Sequence, residues 1–455
     1  MEASIIMGRL FGTDGARGIA NTELNCETSM QIGRAAALVL SEATHHRPKV
    51  LIGKDTRISC DMLEAALIAG LCSVGADVML LGVIPTPAVA YLVKKYNADA
   101  GVMISASHNS CEYNGIKLFN SNGYKLPDKM EEQIEAIVLD NAEEIPVPTG
   151  GGVGRVSYAD TAVTDYISHI RDSINNRLDG LKIAVDCANG SASVTAKRLL
   201  ASLGADVIMI SDNPNGININ DKCGSTHIEQ LQKTVVDNKC HCGVAFDGDA
   251  DRCLAVDEKG NLIDGDKMIA MFSLDMKNNG SLSCDTAVVT VMSNLGFFRF
   301  AEKYNIATKA TKVGDRYVLE EMIKGGYSLG GEQSGHIIFL DRATTGDGQL
   351  SAVKLLSILA KSGKNLSELA SVMNTYPQVL KNIVVTSQGR SALNDDKPVW
   401  DKIHECEKVL GNDGRILVRA SGTEPLIRVM VEGLDHELIN KIADDIVETI
   451  KERLG

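Results

Sequence analysis

Six residues, five of them polar, Ser105-Ala106-Ser107-His108-Asn109-Ser110, directly follow the apolar run Gly101-Val102-Met103-Ile104. A hydroxyl presented at a strand end is well placed for nucleophilic work, given a neighbouring base or cation. An ordinary Ser/Asn turn is the bland alternative. A second loop, Asp247-Gly248-Asp249-Ala250-Asp251-Arg252, lies between apolar runs at 243–246 and 253–256. Three carboxylates at alternate positions can converge on one hard cation such as Mg²⁺. Glu258 stands twelfth from Asp247, as in an EF-hand, but Arg252 occupies the sixth position, where that turn needs Gly. The flanks also read as strands, so a calcium loop is rejected; an acidic turn without metal stays open. The third loop is Gly330-Gly331-Glu332-Gln333-Ser334-Gly335-His336. Its glycines admit close backbone approach to a ligand. Glu332 and Ser334 offer acceptors for sugar hydroxyls, and His336 could move a proton near neutral pH. The fourth is Arg419-Ala420-Ser421-Gly422-Thr423-Glu424-Pro425, with Arg428 beyond it. Two guanidiniums, two hydroxyls and backbone N–H groups freed by Gly422 make a phosphate cradle. The competing reading is a satisfied structural histidine for the third loop and a surface turn with solvated arginines for the fourth. Together the four supply the parts of phosphoryl transfer on a sugar phosphate.

These loops need a scaffold, and the chain repeats one. KVLIG at 49–53 reads as a buried strand, followed by a periodic helix around 61–73 and Gly75-Ala76-Asp77 leading into VMLLG. KIAVD at 182–186 repeats the plan, with a helix near 193–203 and Gly204-Ala205-Asp206 leading into VIMIS. A third version runs from TAVVTV at 286–291 through a helix near 296–304 to a strand around 306–311. Recurring strand, helix and strand indicate βαβ units and parallel sheet. Pro146, Pro148 and Gly150-Gly151-Gly152 mark a first boundary near 150–157, and others fall near 258–265 and Tyr376-Pro377. The tail differs, with strands at 381–386, 415–419 and 426–432 and a helix from about 436. The fold class expected is α/β: three related α/β domains with mixed or parallel sheets, plus a C-terminal α+β domain. The domains expected are 1–156, 157–260, 261–373 and 374–455.

Composition narrows the function further. The 455 residues are 44% hydrophobic and only 4% aromatic, so the cores must be aliphatic. Acids outnumber bases 59 to 46, a net charge of −13, which argues against nucleic-acid or anionic-membrane partners. No apolar run approaches the roughly 20 residues of a membrane helix. The first residues lack a signal-peptide pattern. Eleven scattered Cys read as reduced thiols in a cytoplasm. Cys240-His241-Cys242 offers three soft ligands without a second pair, and reads as a strand start.

The four loops, in this order and one per domain, resemble the α-D-phosphohexomutase superfamily over essentially the whole chain. Within it the chain is most similar to the bacterial phosphoglucosamine mutases. That narrower resemblance rests on Phe11-Gly12-Thr13-Asp14-Gly15-Ala16-Arg17-Gly18, on Asn218-Ile219-Asn220 with Cys223-Gly224-Ser225-Thr226-His227, on Gly331–His336 and on Val313-Gly314-Asp315-Arg316-Tyr317. The resemblance implies an isomerase that interconverts glucosamine 6-phosphate and glucosamine 1-phosphate through a 1,6-bisphosphate, feeding amino-sugar nucleotide (UDP-GlcNAc) synthesis. It implies phosphoserine at Ser107, activated by hexose 1,6-bisphosphate, and Mg²⁺ held by Asp247, Asp249, Asp251 and the phosphorylated Ser107. Glu332 and Ser334 would grip the sugar. Arg419, Ser421, Gly422, Thr423 and Arg428 would hold the idle phosphate. Arg17, Lys117 and His336 match positions that stabilise charge and move protons. The partner implied is a small hexosamine phosphate in the cytoplasm, and a homodimer is compatible with the chain. Ser110 departs from the family, many of whose members carry Pro there. A phosphomannomutase or phosphoglucomutase, a non-catalytic phosphosugar-binding protein and a phosphoserine phosphatase-like hydrolase are the alternatives.

Overall fold

The computed structural model describes residues 9–12, 14–44, 46–420 and 426–455. It divides into two compact units: residues up to Met292 with Ile306–Val372, and Ser293–Asn305 with Met373–Gly455. The first unit carries three sheets, the second one. The fold is three α/β domains and a smaller C-terminal domain.

The first sheet has seven strands in the order Phe11–Gly12, Gly15–Ile19, Tyr113–Asn120, Ala100–Ile104, Lys49–Lys54, Asp77–Val83 and Val156–Tyr158. Its central and C-terminal pairings are parallel, and the Tyr113–Asn120 side is antiparallel. The edge strand Val156–Tyr158 runs across residue 156, where the sequence places the end of the first domain. The second sheet runs Leu262–Ile263, Cys253–Asp257, Cys242–Phe246, Lys182–Asp186, Asp206–Ile210. The third runs Ala307–Thr311, Thr286–Thr290, Leu329–Gly331, Ile337–Phe339.

All three share one device. A buried strand that is parallel on one side turns through a polar loop into an antiparallel neighbour. Ala100–Ile104, Cys242–Phe246 and Leu329–Gly331 are buried throughout, as strands covered on both faces must be. The polar loops therefore leave a dry sheet interior at the same place in each repeat.

The expected repeats form with small differences. The first helix begins at Ser59, and the second breaks into a 3₁₀ turn, Ser191–Val194, before Ala196–Ser202. Cys240 and Cys242 are buried at a strand start, and His241 Nδ1 accepts from Lys182 N at 3.0 Å. The helix Leu295–Lys303, which periodicity places in the third repeat, packs instead within the C-terminal unit. The cause is Glu432, fully buried, which accepts from Asn294 Nδ2 at 3.1 Å and Leu295 N at 3.2 Å. The C-terminal sheet, Gln378–Val384, Leu426–Gly433 and Gly414–Ala420, is wholly antiparallel. Ile439, Ile442, Ile446 and Ile450 of His436–Leu454 bury one helix face in that unit's core, as their spacing predicts. The tail also contains Lys397–Leu410, which the strand-only reading of that stretch missed.

Candidate active site

Ser107 follows the strand Ala100–Ile104 and adopts a left-handed backbone, φ +51°. Its Oγ donates to Asp247 Oδ2 at 2.7 Å. The loop that holds it is clamped from both sides. Arg57, wholly buried against Asp55, donates Nη2 to the carbonyls of Ser107 (3.0 Å) and Asn109 (2.8 Å), and Nη1 to that of Ser110. Asn220, from the second domain, donates Nδ2 to the same carbonyls of Ser107 and Asn109, both at 2.9 Å. Ser105, buried, donates to Asp55 and accepts from Ser107 N, so it is a loop fastener.

Asp247, Asp249 and Asp251 are all buried, and one ligand oxygen of each lies within 4.8 Å of the others. Burial, with Asp251 and Asp249 close by, pushes Asp247 well above the carboxylate range. Asp249 would rise on burial too, but Lys117 and Thr86 hold it down at about 2. Asp249 Oδ1 and Asp251 Oδ1 have no hydrogen-bond partner among the described residues, although both are buried. Hard oxygens, unpartnered and crowded by like charge, fit a divalent cation.

Lys117 sits among three carboxylates: Asp249 at 2.9 Å, Asp14 at 3.0 Å and Asp251 at 3.6 Å. Burial opposes its charge, but Asp14, Asp249 and Asp251 prevail and raise its pKa well above the usual lysine value. Arg17 pairs with Asp14 at 2.8 Å and reaches Asn109 Oδ1 at 3.5 Å. Asp14 passes the chain to Lys125 (2.6 Å) and Lys125 to Asp315 (2.6 Å). His336 Nε2 closes it, 3.6 Å from Asp315 and 3.9 Å from Asp251. Gly335 makes that approach feasible: its φ is +90°, and a β-carbon there would lie 2.3 Å from Cys253 O. His108 Nδ1 is 3.4 Å from Ser107 Oγ. Burial, then Arg252 and Arg17, lower it to about 4, so it is neutral at pH 7.

The first unit thus brings together Ser107, the three aspartates, Arg17, Lys117 and His336. Glu332 Oε1 accepts from Gly314 N at 3.0 Å, and Ser334 is exposed on the same loop. In the second unit Arg419 and Arg428 are cross-strand partners, and burial, then Arg428, lowers the pKa of Arg419. Ser421, Gly422 and Thr423 lie outside the described residues. Sequence reasoning gave no role to Arg57, Thr86 or Lys125, and met Asp14, Asn220, Arg252 and Asp315 only as members of motifs. Asp55-Thr56-Arg57, a charged pair straight after an apolar strand, was the legible signal among these.

Residues 8–144, 164–260, 264–376 and 380–449 match, in turn, alpha/beta/alpha domains I, II and III and the C-terminal domain of phosphoglucomutase/phosphomannomutase. A phosphoglucosamine mutase of Acetivibrio thermocellus is 55% identical over 449 residues, covering 99% of this chain and 100% of that relative. One from Caldanaerobacter subterraneus is 56% identical over the same length. A Burkholderia thailandensis phosphoglucomutase/phosphomannomutase family protein superposes with TM-score 0.81 at 23% identity, over 98% of each chain. An Aspergillus fumigatus N-acetylphosphoglucosamine mutase, solved with GlcNAc-6P and magnesium, superposes with TM-score 0.70 at 17% identity, over 98% of this chain and 96% of that one. With four domains matched in order and relatives this similar end to end, the chain belongs to the phosphoglucomutase/phosphomannomutase family.

Proposed function

We propose that the chain is an isomerase that interconverts glucosamine 6-phosphate and glucosamine 1-phosphate, with Ser107 as the phosphoryl carrier. The observation that carries the reading is the 2.7 Å contact between Ser107 Oγ and Asp247 beside the buried aspartate triad and Lys117. The sugar is read from the full-length phosphoglucosamine mutase relatives.

In the forward reaction the C1 hydroxyl of glucosamine 6-phosphate attacks the phosphorus on Ser107. The O1–P bond forms, the bond from Ser107 Oγ to phosphorus breaks, and His336 takes the hydroxyl proton. The 1,6-bisphosphate then turns over, Ser107 Oγ attacks the 6-phosphorus, the O6–P bond breaks, and O6 takes the proton back from His336. Lys117, Arg17 and Arg252, cations close to the serine and aspartate loops, would stabilise the charge that develops on the transferring oxygens. Asp247, Asp249 and Asp251 would hold Mg²⁺, whose contribution when bound is to neutralise phosphoryl oxygens. Glu332 and Ser334 orient the sugar, and Arg419, Ser421, Gly422, Thr423 and Arg428 hold the idle phosphate.

The same reading includes domain limits at 1–156, 157–260, 261–373 and 374–455 and activation by hexose 1,6-bisphosphate. It also includes a cytoplasmic setting in amino-sugar nucleotide synthesis. No helix of the described residues is long and apolar enough to cross a membrane. A homodimer is the oligomeric expectation, to be measured by light scattering. The deciding test is a panel of hexose and hexosamine phosphates. Glucosamine 1-phosphate should give the highest kcat/KM; an equal or higher value for mannose or glucose 1-phosphate overturns the sugar assignment.

A further inference from the structure

Asp249 is held in a way that its two neighbours in the triad are not. Its Oδ2 accepts from Thr86 Oγ1 at 2.5 Å and from Lys117 Nζ at 2.9 Å. Its main-chain oxygen accepts from Thr86 N at 2.9 Å. Both donors come from the first domain, 163 and 132 residues away in sequence. Asp249 Oδ1, by contrast, is buried with no hydrogen-bond partner among the described residues. One oxygen is saturated and the other is left open, in a residue that offers a ligand oxygen within 4.8 Å of those of Asp247 and Asp251.

Lys117 alone could not set this orientation, because its flexible ammonium is shared with Asp14 and Asp251. Thr86 can. It is buried at 1% exposure, its β-branched side chain is stiff at χ1, and it stands between Pro85 and Pro87. Hydrogen bonds to both the carboxylate and the carbonyl of Asp249 fix that residue at two points.

We infer that Thr86 is a positioning residue for the cation site, turning Asp249 so that Oδ1 faces the metal. The inference rests on the metal reading of the aspartate loop. It gives the first domain, which carries the phosphoryl-bearing serine, direct control over a metal ligand of the second. Partners of metal ligands commonly account for about 10–100-fold in metal affinity.

The test is Mn²⁺ titration of the full-length, metal-stripped and dephosphorylated chain, followed by electron paramagnetic resonance and calorimetry, without turnover. Thr86→Val keeps the volume and branching and removes only the hydroxyl. It should weaken Mn²⁺ binding at least tenfold, while Thr86→Ser should stay within about twofold of the native chain. Thr86→Val that melts earlier yet binds Mn²⁺ as the native chain does would show a merely structural hydroxyl, and the inference falls. Thr86→Ser as weak as Thr86→Val would also overturn it. Asp249→Asn controls for the site itself. If the native chain binds no Mn²⁺, the metal reading fails and takes the inference with it; unchanged affinity in Thr86→Val defeats the inference alone.

Discussion

A β-carbon disfavours the left-handed backbone of Ser107, at a cost of order 1–3 kcal/mol. The surrounding hydrogen bonds over-determine it. Its carbonyl takes donors from both Arg57 and Asn220, and its N–H is held by Ser105. The same guanidinium binds the carbonyl of Ser110, so a buried ion pair restrains the loop at that residue too. Ser107→Ala keeps this scaffold and removes the oxygen proposed to carry the phosphoryl group. It should abolish phosphoryl labelling and lower kcat by at least about 10³-fold, since the neighbouring Ser105 hydroxyl is spent on Asp55. His336→Ala should remain labelled at Ser107 while turning over about 10²–10⁴-fold more slowly. Peptide mass spectrometry separates the two outcomes; label found at Ser105 in an active chain would refute the assignment.

At the scale of elements, the serine and aspartate loops touch backbone to backbone, and Gly248 permits it. A β-carbon there would lie 2.5 Å from Ser107 O and 2.9 Å from Asn220 Nδ2. Gly248→Ala should therefore push the loops apart, and misplacement of about 1 Å costs on the order of 10²-fold in rate. The measurement is kcat on a protein whose circular dichroism matches the native; an unchanged kcat would show that the loops need not touch. The helix Asp128–Asp140 carries a second testable feature, Glu131, with Arg316 of the third domain 3.9 Å away. Burial raises its carboxyl to about 7, against 4.5 ordinarily, and Arg316 only partly offsets this. A raised folded pKa means the protonated form is favoured on folding. That contribution is fully present below about 4.5 and is lost as pH rises through about 7. Glu131→Gln should thus melt close to the native chain near pH 5 and above it near pH 8. Melting curves whose difference is the same at both pH values would contradict this.

On the scale of the molecule, the chain meets an anionic substrate although its own net charge is −13. It does so by placing Arg17, Lys117, Lys125 and Arg252 among the buried carboxylates, so cations stand at the site despite the acidic total. The C-terminal unit is built around another buried charge. Glu432 pairs with Arg415 at 2.6 Å and holds Asn294 and Leu295. Arg415→Met would leave that carboxylate inside without its cation. Removal of one member of a buried pair costs about 3–5 kcal/mol, and the part-exposed arginine puts the expected loss near the lower figure. Denaturant unfolding should show it as an early transition confined to the C-terminal unit. A single transition at the native midpoint would show that the pair contributes little.

Chemistry that is local in the chain could be read before folding. The strands Lys49–Lys54, Lys182–Asp186 and Thr286–Thr290 are short apolar runs, and the serine, aspartate and glycine-rich loops adjoin such runs directly. Strand burial and loop polarity follow from residue type alone, so repeat count and loop chemistry were legible. What was not legible depends on contacts between residues far apart in sequence. Nothing near Thr86 marks it as a partner of Asp249, 163 residues on. Nor does the amphipathic spacing of Leu295–Lys303 reveal which core it joins, because periodicity gives a helix an apolar face and not a destination. Glu432 decided that, through two hydrogen bonds across 137 and 138 residues. Tertiary structure likewise gave Ser105 its part as a fastener, which no neighbouring residue announces. Its hydroxyl is spent on Asp55, 50 residues away, whereas that of Ser107 reaches the aspartate loop across 140 residues.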